Sequence, residues 1–176
     1  FVDDPGVTAA FTDWAMSVYF GEYHVSLDER GRFPVPMDLR KLMQERGDLS
    51  WAVARGFDDA LFVYPEPKYR EVMGRLTDGA MDPEVLAFLR HFGAASFTQL
   101  DTQGRLLVGS SLRDYAGFLR EAILIGVGET LELWSVSGWR KYQQDQKDNY
   151  KAVAAGLFGR RVSGCGQRTE EGSTGC

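Results

Sequence analysis

Histidine and cysteine are scarce in this chain, two of each in 176 residues. Both cysteines, Cys165 and Cys176, stand in the last dozen residues, in polar surroundings and without CxxC spacing. A disulfide-built scaffold is thereby excluded, and the pair reads as solvated thiols with no metal or redox role. His24 and His91 are sixty-seven residues apart and have no HxxxH, HExxH or Cys companion. No zinc site, and no other metal or cofactor, is expected from them. His24 reads as a pairing residue of an alternating strand, and His91 as a charge placed well at the end of a helix. No run of residues reaches the roughly eighteen apolar positions of a membrane span. The opening FVDDPGV is acidic where a signal peptide would be basic. The expectation is a cytoplasmic protein without membrane contact.

What remains is an average soluble composition, 44% hydrophobic and 26% charged, sufficient for a packed core at this length. The net charge is −5, and the body from about Val18 to about Tyr150 keeps 16 Lys+Arg against 20 Asp+Glu. A bulk basic signature of nucleic-acid binding is missing. The cations are lopsided, however: 15 of the 20 are arginine. Arginine suits planar, bidentate contact with phosphate or carboxylate.

The ends differ from the middle. Residues 1–17 show no clear period and read as an extension outside the fold. From Gly159 the sequence GRRVSGCGQRTEEGSTGC is too polar and glycine-rich to offset the entropy of ordering, so 159–176 is expected to be a disordered tail.

An internal repeat organises the body. LDERGRFPVPMDLR (Leu27 to Arg40) returns seventy-three residues later as LDTQGRLLVGSSLR (Leu100 to Arg113), with seven of fourteen positions identical. ALFVYPEPKY (Ala60 to Tyr69) then matches TLELWSVSGW (Thr130 to Trp139) at an offset of seventy. Each copy reads as a strand (22–27; 95–100), a D-x-x-G-R turn, a short second strand (32–35; 105–108), a short helix and a hairpin. The first short helix uses Leu39, Leu42 and Met43 and stops at Gly47; its counterpart uses Leu112, Tyr115, Ala116 and Leu119. The hairpins turn at Asp58–Asp59 and at Gly128–Glu129. A helix over 67–76 follows copy one. Asp82 before Pro83 caps another with Leu86, Leu89 and Arg90, and Ser137 is expected to cap a last helix through Trp139 and Tyr142 towards Leu157. Trp134, Trp139, Tyr142 and the Leu86–Phe92 face suit the core better than an interface. A unit this small cannot bury enough surface alone, so tandem packing or intertwining should follow.

Catalysis finds little support. There is no GxSxG motif. The GVGE stretch (Gly126–Glu129) lacks the third glycine and Lys-Ser/Thr ending of a phosphate loop and reads as a hairpin turn. Adjacent Asp58 and Asp59 suit solvation in a turn. The D-x-x-x-R pairs, Asp28–Arg32 and Asp101–Arg105, are the sharper signal, and two readings are open. In one, Asp accepts backbone N–H bonds of the turn and pairs with Arg, fixing the hairpin. In the other, the turn projects Arg towards a phosphate or base edge, with Arg30 beside it in copy one.

FGEYHVSLDERGRFPVP, RGFDDALFVYPEPKY, ASFTQLDTQGRLLVGSSLRDYAG and GVGETLELWSVSGWRKY together resemble the MraZ family of bacterial transcriptional regulators. The likeness covers about Val18 to Gln144. It implies an α+β fold of two tandem SpoVT-AbrB-like, swapped-hairpin units with short helices, linked by helices and intertwined as a pseudo-dimer. The units would occupy 22–68 and 95–138, with a helical linker at 69–94 and a C-terminal helix at 139–158. The resemblance further implies a nucleoid-associated, non-enzymatic regulator of the division and cell-wall gene cluster containing its own gene. Such a regulator would bind repeated promoter boxes on double-stranded DNA as a ring-like homo-oligomer. Carried over by position, the DNA-contacting residues are Arg30, Arg32 and Arg105, held by Asp28, Gly31, Asp101 and Gly104 as turn residues. Gln103 replaces Arg30 in copy two, so copy one is expected to be the main reader. The family usually starts Met-Phe-x-Gly-Glu-Tyr, which aligns with Val18-Tyr19-Phe20-Gly21-Glu22-Tyr23 and suggests translation from Val18 or Met16. The competing function is an oligomeric, antitoxin-like protein-interaction module whose loops grip an acidic partner.

Overall fold

A computed structural model describes residues 18–78, 82–118 and 120–162, with side chains described as far as 157. The expectations for residues 1–17, for Leu119, for Cys165 and Cys176 and for the rest of 163–176 lie outside the described residues. Two units divide the chain, Phe1–Trp139 and Arg140–Cys176.

In the first unit, strands β1 (Glu22–Ser26), β2 (Arg32–Pro34), β3 (Ser50–Arg55) and β4 (Leu61–Pro65) belong to copy one. Strands β5 (Ser96–Gln99), β6 (Arg105–Leu107), β7 (Glu121–Val127) and β8 (Thr130–Ser135) belong to copy two. Helix α1 (Met37–Arg46) follows β2, and α4 (Ser110–Ala116) follows β6. Between the copies lie α2 (Glu66–Thr77) and α3 (Pro83–Phe92), and α5 (Val136–Asp145) leaves β8.

The strand order carries the architecture. One sheet runs β1-β7-β8-β4-β3-β5 and a two-stranded ribbon pairs β2 with β6, all antiparallel. Exchanging the copies leaves both orders unchanged, as a pseudo-two-fold axis requires. The first strand of each copy pairs with the hairpin of the other: Tyr23 faces Leu124, and Phe97 faces Ala52. The axis passes between Phe33 and Leu106, which face each other in the ribbon. This is the intertwined α+β arrangement of swapped hairpins.

Period-two burial builds the main core. Leu61 and Val63 of β4, with Leu131 and Leu133 of β8, turn inward against Phe33 and Leu106 of the ribbon and Val35 and Val108 just after its strands, while α1 and α4 add Leu39, Met43 and Leu112. Trp51 and Phe33 are fully buried, and truncating either to Ala should cost about 3–5 kcal/mol. A second cluster lies on the opposite sheet face, where α2 and α3 lay Tyr69, Val72, Phe88 and Phe92 over Ala52, Ala54, Phe62 and Tyr64. Tyr19 fastens the start of the fold: its backbone bonds Gly128, its hydroxyl donates to Asp48 at 2.5 Å, and the Arg46 guanidinium lies 5.1 Å from its ring centre. Burial, with the hydrogen bond to Asp48 second, pushes its phenol far above the ordinary tyrosine range.

Helix ends mostly follow local chemistry. Gly47 and Gly117 close α1 and α4 in left-handed conformation, at φ 73° and 64°. Asp82 caps α3 by accepting from the Glu84 N–H at 2.8 Å. The expected Ser137 cap is corrected to Ser135, whose Oγ accepts from the Gly138 N–H at 3.1 Å, because the helix begins directly off strand β8. Asp58 and Asp59 both take positive φ, 53° and 61°, as a two-residue primed turn demands.

The second unit consists of the end of α5 from Arg140 and helix α6 (Lys147–Val162). Gln146 stands between the two helices, its N–H donating to the Tyr142 carbonyl while its own carbonyl accepts from Tyr150, so helical i→i−4 bonding continues through it. Helix α6 runs to Val162, past the Gly159 boundary drawn for the tail.

Candidate nucleic-acid interface

The two D-x-x-x-R turns have the same construction. In copy one the Asp28 Oδ1 accepts from the backbone N–H groups of Arg30 and Arg32 at 3.0 and 2.9 Å. The Arg32 Nε donates to Asp28 Oδ2 at 2.8 Å. In copy two Asp101 Oδ1 accepts from Gln103 and Arg105 at 2.9 and 3.0 Å, and Arg105 Nε donates to Asp101 Oδ2 at 2.8 Å. Aspartate suits the position because its two oxygens serve backbone and guanidinium at once. Gly31 and Gly104 provide the left-handed residue, at φ 81° and 73°.

The pseudo-two-fold axis then brings the two turns together. Arg32 Nη1 lies 3.8 Å from Asp101 Oδ2, and Arg105 Nη1 lies 3.6 Å from Asp28 Oδ2. Asp28, Arg32, Asp101 and Arg105 thus form a ring of alternating charge, each guanidinium between two carboxylates. The backbone N–H of Arg32 is the first cause holding the Asp28 carboxyl below its ordinary range. The Arg105 side-chain bond is the first cause for Asp101, which falls to about 2. The four charges cancel at neutral pH. Arg30 is different: it is exposed, and among the described residues its side chain has no hydrogen bond or ion pair.

Two arginines complete the lock. A Cβ on Gly31 would stand 2.6 Å from Arg113 Nε and 2.7 Å from the Val108 carbonyl oxygen. A Cβ on Gly104 would stand 2.3 Å from Arg40 Nη1. The helix arginine of each copy therefore lies against the turn glycine of the other. Arg113 and Arg120, with Leu27, Asp28 and Glu29, line an open cleft of about 460 Å³ beside the copy-one turn. Sequence reasoning passed over Arg40, Arg113 and Arg120 as site residues. The signal for the first two was available, since both are the last identity of the fourteen-residue repeat; nothing in the sequence marks Arg120.

The turns, their carboxylate–guanidinium ring and the swapped topology meet in the family comparison. The model described as "MraZ protein, putative antitoxin-like" matches residues 18–90 and again 91–161. The chain belongs to the MraZ family. Among relatives, the transcriptional regulator MraZ of Moorella thermoacetica is 34% identical over 139 residues, covering 78% of this chain and 94% of the relative. That of Syntrophomonas wolfei is 34% identical over 143 residues, covering 80% and 96%. That of Lactiplantibacillus plantarum is 30% identical over 143 residues, covering 80% and 99%. MraZ membership makes the chain a transcriptional regulator and not an enzyme. Among the described residues, no helix is long and apolar enough to cross a membrane.

Proposed function

We propose that this MraZ protein binds double-stranded DNA sequence-specifically, at repeated boxes in the promoter of its own division and cell-wall gene cluster, as a nucleoid-associated cytoplasmic homo-oligomer. The observation that carries the reading is the pairing of two arginine-bearing turns about one axis, with Arg30 free at the surface beside them. The structural and functional readings of D-x-x-x-R combine here. Asp28 and Asp101 hold the turns, Arg32 and Arg105 sit at the axis, and Arg30 offers an uncommitted guanidinium to phosphate or a base edge. One protomer with net charge −5 gains little from long-range attraction. A ring presenting the same turn repeatedly gains affinity from linkage, provided the operator repeats with matching spacing.

The test is fluorescence anisotropy of labelled DNA from upstream of the gene against a scrambled duplex. Binding is expected to be salt-steep and repeat-dependent. Arg30→Ala should weaken it about tenfold, within the 1–3 kcal/mol of a specific contact, and leave Tm unchanged. Arg32→Ala should weaken binding and lower Tm together, since it removes the guanidinium nearest Asp28 and one of the two beside Asp101. Equal, weak binding to both duplexes, unmoved by Arg30→Ala, would transfer the function to the antitoxin-like protein-interaction reading.

A further inference from the structure

We propose that a second site, away from the paired turns, binds a small planar aromatic carboxylate. It is a cleft of about 290 Å³ lined by Arg55, Gly56, Phe57, Ala87, Phe88, His91, Phe92 and Tyr115. Three elements build it: the β3–β4 turn, helix α3 and helix α4, the last joined to the turn by the Tyr115 hydroxyl donating to the Gly56 carbonyl at 2.9 Å.

Its walls are aromatic. Phe88 and Phe92 stack with centroids 5.4 Å apart, and Phe57 stands 6.4 Å from Phe88 at 32°. Phe57 is 63% exposed and stands at the mouth of the cleft. Phe57 also packs edge-on against Phe62 at 5.5 Å, and a flat ring entering the cleft would lie against Phe88 in the offset geometry that aromatic pairs favour. The volume lies at the small end of ligand sites, which run from about 300 to 1,000 Å³, so one or two fused rings fit.

The charge of the occupant follows from Arg55. Its guanidinium lies 5.2 Å from the Tyr115 ring centre, and among the described residues Nη1 meets only His91 Nδ1, at 3.3 Å. The Nε is buried without a hydrogen-bond partner, and no carboxylate of the described residues lies within ion-pair distance. Among the described residues, the other arginines stacked on aromatic rings both have carboxylates: Arg46 has Asp48 at 2.7 Å and Arg70 has Glu66 at 2.5 Å. Asp58 and Asp59 act on the Tyr115 phenol from the turn but do not line the cleft. A partly desolvated guanidinium lacking a counter-ion, at the edge of an aromatic slot, recognises a flat acid: the rings take the plane and the donor fork takes the carboxylate.

The probe is 6-fluoronaphthalene-2-carboxylate, observed by its own ¹⁹F line width against the full chain. This readout needs no DNA, so it stands or falls separately from DNA binding. Saturable binding is expected with Kd of about 1 mM or tighter, reasonable for a fragment of about fourteen heavy atoms. Ala87→Trp, at an exposed position on the cleft, should fill the slot and weaken binding at least about tenfold without loss of fold. Arg55→Gln should weaken the carboxylate about tenfold while leaving the weaker binding of the neutral carboxamide unchanged. No saturable broadening in the wild type, or broadening that survives Ala87→Trp in a folded variant, would overturn the proposal.

Discussion

At the scale of single residues, Gly31 and Asp101 say most about how the interface is held. Gly31 is needed twice over, for its positive φ and for the space that Arg113 occupies. The conformational part alone is worth about 1–2 kcal/mol against a side chain. Gly31→Ala should therefore destabilise by more than that, and Arg113→Ala in the same chain should recover only the part due to the Arg113 side chain, leaving the conformational cost and the close approach to the Val108 carbonyl. Denaturant unfolding of the two single variants and the double variant measures the split. Asp101 makes the acid limb predictable. Its folded pKa, about 2, lies below the ordinary carboxylate value near 3.9. A depressed acid contributes stability that is present above the unfolded pKa and lost as pH falls through the folded one. Tm should thus drop between about pH 4 and pH 2, and Asp101→Asn should lower Tm at neutral pH while flattening that drop. Asp28, Arg32, Asp101 and Arg105 were legible from spacing as turn residues. Their cross-pairing was not, because seventy-three residues of chain separate the turns and only the swap brings them within 4 Å.

Among elements, the start of α5 shows where local reading fails. Both Ser135 and Ser137 are plausible caps, and the apolar spacing of Trp139 and Tyr142 does not choose between them. The choice is made by register: Ser135 is still in β8, paired with Ala122, so the helix must begin at the next residue. The repeat held the answer, since Pro65 ends β4 seventy positions earlier and caps α2 in the same place. Ser135→Ala should cost about 1 kcal/mol in thermal or denaturant unfolding, and Ser137→Ala should cost almost nothing. A loss from Ser137→Ala with none from Ser135→Ala would return the cap to Ser137. By contrast the hairpin turns, the Asp82 cap and the Gly47 stop were readable because each depends only on residues within one turn of backbone.

For the whole molecule, the two-copy sequence and the palindromic strand order make one claim about folding. Copy one cannot complete itself: β1 pairs with β7, β2 with β6, and β4 with β8, all from copy two. Yet copy one carries every complementary part needed to pair with a second copy of itself. Its β1 has the role of β5 against β3; its Phe33 can face another Phe33; its Arg40 can lie on another Gly31; and two Asp28–Arg32 pairs can close the same ring of charge. A fragment of residues 18–78 should therefore fold only as a symmetric dimer, with β2 paired to β2 and β4 to β4. Sedimentation across a concentration series should show the dimer giving way to unfolded chain on dilution, with no folded monomer between, because the core and the association are one structure. A compact, folded monomer at low concentration would mean that copy one can bury Phe33 and Trp51 alone, and the intertwined origin of the interface would have to be given up.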